Sequence, residues 1–98
     1  MPLFLIKRSA SDMVQDDIDA AIIRAMACAS SVGVRWITSY WDQKAGFTYC
    51  VYEAKSEADI WEHSRRGSLA CDEVWEVVSL DPSMYGATKQ PVVADNSS

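Results

Sequence analysis

The stretch VRWITSYWDQKAGFTYCVYEA, Val34–Ala54, decides the fold. Two runs of aromatic and β-branched residues flank Asp42-Gln43-Lys44-Ala45-Gly46, a polar loop closing on a glycine that can take positive φ. The pattern predicts a β-hairpin with strands at 34–41 and 47–54. So short a loop joins antiparallel neighbours, because a parallel crossover needs a dozen or more residues.

On the upstream side, LFLIKR at 3–8 reads as a first strand, with Pro2 at its edge where a missing donor is harmless. Ser11 or Asp12 is a candidate cap for a helix over 13–31, whose Val14, Ile18, Ile22, Ala25, Ala29 and Val32 recur every three or four residues. Asp16, Asp17 and Asp19 suit the positive end of that helix, and Gly33 suits its left-handed stop. On the downstream side, SEADIWEHSRRG at 56–67 predicts a second helix, with Ser56 as cap and Asp59 in the capping-box position. EVWEVVS at 73–79 predicts a last strand. Residues 1–85 form one domain on this reading, and 86–98, which lack periodicity, form a flexible tail. The order β-α-β-β-α-β predicts an α+β, ferredoxin-like fold. Its four-stranded antiparallel sheet carries both helices on one face.

The other sheet face should be polar if it met water. It is not. Alternation sets Phe47, Tyr49 and Val51 against Cys50 and Tyr52 on the third strand. It sets Val34, Trp36 and Tyr40 against Ile37 and Trp41 on the second, and Val74 and Val78 against Trp75 and Val77 on the fourth. Leu3 and Leu5 oppose Phe4 and Ile6 on the first. A monomer would expose a broad aromatic face, and a second copy laid sheet to sheet would cover it as a dimeric α/β-barrel-like assembly. The other candidate cover is the chain's own Met84-Tyr85 or its tail.

The 98 residues carry a net charge of -5 and a pI of about 4.6, a poor match to the basic footprint of a nucleic-acid binder. No stretch has the length of a membrane span. Cys28, Cys50 and Cys71 form no CxxC motif and read as reduced thiols of a cytoplasmic protein. There is no hydrolase elbow, and the glycines are too scattered for a phosphate loop.

The one histidine, His63, has Asp59 four residues before it on the same helix face. That spacing suits a shared divalent metal or a simple hydrogen-bonded pair. A metal needs further ligands, which Glu53, Cys50, Glu62 or a second subunit would supply. Glu53 has a structural alternative as the partner of Arg35 or Lys7. Trp36, Tyr49 and Tyr52 are candidate walls of a pocket for a flat organic ligand. Three classes of function therefore stay open. They are a metal-binding protein, a small-molecule binder or cofactor-free enzyme of the dimeric α/β-barrel type, and an interaction module without ligand.

Five segments in order, MPLFLIKR, GVRWITSYW, TYCVYEA, EHSRR and DEVWEVVSLDPSMY, resemble a family of small bacterial proteins of unknown function, often described as nickel-binding. The resemblance spans residues 1 to about 85. It implies a ferredoxin-like fold, a homodimer and a nickel site. The matching positions are Tyr49, Cys50, Glu53 and His63. Members with metal-binding patterns often carry histidines in the first strand and first helix, where this chain has Lys7-Arg8 and Asp19-Ala20-Ala21.

Overall fold

The computed structural model describes residues 1–86. Its elements run β1 (Leu3–Ser9), α1 (Gln15–Val32), β2 (Arg35–Asp42), β3 (Phe47–Glu53), α2 (Glu57–Arg66) and β4 (Glu73–Val77), followed by a 3₁₀ turn at Pro82–Tyr85. The strands form one antiparallel sheet in the order β2-β3-β1-β4. This is the ferredoxin-like arrangement that the hairpin predicts. The predicted tail at 86–98 lies, apart from Gly86, outside the described residues. No helix among the described residues is long and apolar enough to cross a membrane.

Local chemistry sets the boundaries. The helix α1 starts later than Ser11 or Asp12 would allow, because Asp12 takes a positive φ of 61° and turns the chain. Val14 is the cap residue instead, and its N–H donates to the Asp17 carboxylate at 3.0 Å. Gly33 ends the helix in the left-handed region at φ 82°. In the β2–β3 turn, Gly46 sits at φ 80° and its N–H donates to the Asp42 carbonyl at 2.9 Å. A Cβ there would lie 3.3 Å from the Ser11 Cα, so glycine also lets the turn approach the β1–α1 loop.

Alternation along β1 and β3 is as predicted. Phe4, Ile6 and Arg8 lie opposite Tyr52, Cys50 and Thr48 and face the helices. Leu5 and Lys7 lie opposite Val51 and Tyr49 on the other, open face. Phe4, Ile6, Val34, Cys50, Tyr52, Ala54 and Ile60 form the core. Each large apolar side chain there contributes about 1.5–3 kcal/mol relative to exposure.

The second strand departs from the predicted alternation. The register steps from Trp36↔Tyr52 to Thr38↔Val51, so Ile37 is the extra residue of a β-bulge. Past the bulge the parity inverts. Trp36, Ser39 and Trp41 share the helix face, while Thr38 and Tyr40 lie on the open face. The grouping of Trp36 with Tyr40 and of Ile37 with Trp41 is therefore corrected. Met84 and Tyr85 are 56% and 71% exposed, so the chain's own 3₁₀ turn does not cover the open face.

Candidate functional site

A cavity of about 390 Å³ lies between α1 and the helix face of the sheet. Its volume falls in the range of small-molecule sites. The bulge builds much of its floor by bringing Trp36 and Trp41 to the same side as Tyr52 and Cys50. Trp36 Nε1 donates to Ser39 Oγ at 2.9 Å, which fixes that indole over the bulge. The roof is the apolar stripe of α1, including Ile18, Ile22 and Ala25. Toward solvent the lining includes the exposed residues Gln15, Arg24 and Ser68. Arg24 Nε donates to the Gly67 carbonyl at 3.0 Å and ties α1 to the loop after α2.

Arg8 closes the inner end of the site chemically. It continues the Phe4–Ile6 parity of β1 and is only 6% exposed. Its Nη1 donates to Ser64 Oγ at 2.8 Å and to the Ala70 carbonyl at 2.7 Å. Its Nη2 and the Nε1 of Trp41 are buried donors without an acceptor among the described residues. The Arg8 guanidinium sits 5.9 Å from the Tyr52 ring centroid, a cation–π distance. Burial pushes the Tyr52 hydroxyl up to about 12, against the opposing pull of Arg8, so it stays protonated at neutral pH.

The residues singled out as metal ligands are spread over the molecule. His63 is fully buried on α2, and its Nε2–H donates to the Ala25 carbonyl of α1 at 2.7 Å. Its Nδ1 is buried without a partner among the described residues, and its ring packs 5.1 Å from that of Tyr52. Burial depresses its pKa, as does the Arg8 charge, while the bond to Ala25 partly opposes them. The neutral imidazole protonated on Nε2 satisfies this geometry. Asp59 is half-buried one turn earlier and shares no hydrogen bond with it among the described residues. Glu53 lies on the open face and pairs with Arg35 at 2.8 Å, the structural alternative expected for it. Cys50 is buried on the opposite face of the same strand, with its thiol 3.9 Å from Thr48 Oγ1. Among the described residues no three of the His, Cys, Asp and Glu side chains form a group that could hold a metal ion.

Of the aromatic pocket candidates, Trp36 and Tyr52 line the cavity, whereas Tyr49 faces away on the open side of the sheet. Arg8 and Trp41 line the cavity without being among the site residues expected from the sequence. The signal for Arg8 was present, since it shares the parity of Phe4 and Ile6. Trp41 had none, because the bulge that turns it inward is invisible to simple alternation.

A family model described as "Nickel responsive protein SCO4226-like" matches residues 4–77. The fold is similar to the crystal structure of SCO4226 from Streptomyces coelicolor A3(2), with a TM-score of 0.74 and 22% identity. The match covers 80% of this chain and 99% of that one. No curated protein matches the sequence.

Proposed function

The chain belongs to the SCO4226-like family of nickel responsive proteins, and from that membership and its own geometry we propose that it is a homodimeric small-molecule-binding protein. The observation that carries this reading is the cavity of about 390 Å³ between α1 and the sheet. Small-molecule sites are concave and mostly apolar with few polar groups, and this cavity has an aromatic floor, an aliphatic roof and a buried arginine. The homodimer is supported by the apolar face on the far side of the same sheet, where Tyr40 and Trp75 are 65% and 40% exposed.

The test uses a neutral fluorescent probe, N-phenyl-1-naphthylamine, titrated into the full chain. Ala21→Leu and Ala25→Leu each add bulk at the roof of the cavity. The expected result is probe affinity at least about tenfold weaker in both variants, with folding retained in circular dichroism. Unchanged affinity in both would remove the cavity as a binding site.

Nickel binding is the second reading, and the family's description is what favours it. The described residues do not fit a nickel centre within one chain. His63 would have to release the Ala25 carbonyl, Glu53 would have to leave Arg35, and Glu53 and Cys50 point to opposite sheet faces. Calorimetric titration of nickel into the tag-free protein and into His63→Ala separates the two readings. Stoichiometric uptake that His63→Ala abolishes would establish the metal reading and assign the buried imidazole to it. Such uptake should weaken below about pH 6, where imidazole protonates.

A further inference from the structure

We propose that the cavity takes an aromatic carboxylic acid as its anion, with the carboxylate on Arg8 and the ring among Trp36, Trp41 and Tyr52. The inference rests on the cavity being a ligand site and specifies its ligand.

Arg8 carries a guanidinium charge and is 6% exposed. Taking a guanidinium out of water is costly unless an opposite charge and a full set of acceptors come with it. Among the described residues Arg8 has no carboxylate partner, since the ion pairs join Lys7 to Glu73, Arg35 to Glu53, and Arg65 and Arg66 to Glu62. Its partners are neutral: a hydroxyl, a carbonyl and the Tyr52 ring. Its Nη2 has no acceptor among the described residues.

The cavity wall repeats that imbalance. The chain has 14 acidic and 9 basic side chains, yet the lining contains Arg8 and Arg24 and neither an Asp nor a Glu. An acidic protein that keeps its carboxylates out of one cavity, and two arginines in it, holds a positive potential there. The second unpartnered donor of the wall is Trp41 Nε1. A carboxylate is acceptor-only, with two oxygens, and so suits a site whose unmet needs are donors and a positive charge. The rest of the lining excludes a small inorganic anion as the natural occupant, because indole and phenol rings and the Ile18 and Ile22 side chains favour an apolar body. A planar ring meets those aromatic faces best.

The test compares 2-naphthoate with 2-naphthamide, which differ little in shape but carry a charge and no charge respectively. Each is titrated into the full chain in competition with N-phenyl-1-naphthylamine. The acid should bind at least about tenfold more tightly than the amide, the scale of one hydrogen bond to a charged group. In the wild type, the Arg8 side-chain Nε–H resonance should shift on adding naphthoate and stay in place with naphthamide. Arg8→Met should bring the two affinities within about threefold. If Arg8→Met fails to fold, the wild-type ratio and the resonance shift decide. Equal affinity of acid and amide, with the neutral probe still bound, would overturn the carboxylate assignment and leave the binding-protein reading standing. Failure of all three molecules to bind would overturn both.

Discussion

His63 connects two helices through one proton. Its Nε2–H donates to Ala25 and its Nδ1 is sealed from water, so the folded chain favours the neutral ring. Removing the ring by His63→Ala leaves a void and removes the hydrogen bond that joins α2 to α1, at a cost of about 2–4 kcal/mol. The pH dependence follows from the direction of the pKa shift. The folded-state value lies below the ordinary 6.5, so below that pH the unfolded chain binds a proton that the folded chain refuses. The histidine's contribution is fully present above pH 6.5 and is lost as pH falls from there toward the folded-state value. Urea unfolding at pH 7.5 and 5.5 should show a loss in the wild type that is much smaller in His63→Gln, which keeps a donor for Ala25 and does not titrate. Glu62 does not blur that window. Its carboxylate is pulled down to about 2 by hydrogen bonds from Arg65 and Arg66, so its effect appears only in more acid solution. Equal losses in the two proteins would show that the imidazole titrates freely.

At the level of elements, the bulge in β2 is what makes the sheet a binding surface. Trp36↔Tyr52 and Thr38↔Val51 are consecutive pairs in the ladder, and Ile37 has no place between them. Deleting Ile37 should therefore preserve the register and keep Trp41 under the helices. The protein should still fold, with cooperative unfolding and intact near-ultraviolet dichroism. Binding of the neutral probe should weaken, because a bulge adds local bend and twist that a regular strand lacks. A molten product would mean that Ile37 sets the register itself. The same element shows what the sequence could reveal. The hairpin was legible because Asp42–Gly46 is a short polar loop ending at a glycine, and β1 and β3 were legible because each keeps strict alternation. The bulge was not, since Ile37 is as β-prone as its neighbours and only pairing with β3 shows which residue is surplus. The start of α1 was misread for a related reason. Asp12 and Asp17 are both plausible cap chemistry, and the choice between them depends on the backbone of the β1–α1 turn. The cavity is a tertiary object. Its donors were visible as residues, but Arg8 became a site residue only when α1, β2 and the loop after α2 enclosed it.

The whole molecule puts different demands on the two faces of one sheet. One face holds the cavity under α1. The other carries Leu5, Tyr49 and Val51 half-buried and Tyr40 and Trp75 more exposed, and the described residues past β4 do not cover it. Val78, Leu80, Met84 and Tyr85 are themselves 80%, 69%, 56% and 71% exposed. Apolar area of that extent is best removed from water by a second copy laid sheet to sheet, and an interface of roughly 1,600 Å² in total would be of standard size. Sedimentation at micromolar concentration should give the mass of two chains. The association should strengthen with added salt, because each chain carries a net charge of -5 and the mutual repulsion is screened. Trp75→Asp should give a single-chain mass. Trp75 is 40% exposed in the isolated chain, so the substitution should change its intrinsic stability little. Trp75 pairs with Leu5 on the open face and takes no part in the cavity lining, so the monomeric variant should bind the neutral probe with nearly wild-type affinity. A wild type that sediments as one chain would refute the dimer, whereas a monomeric variant that loses the probe would show that assembly shapes the site.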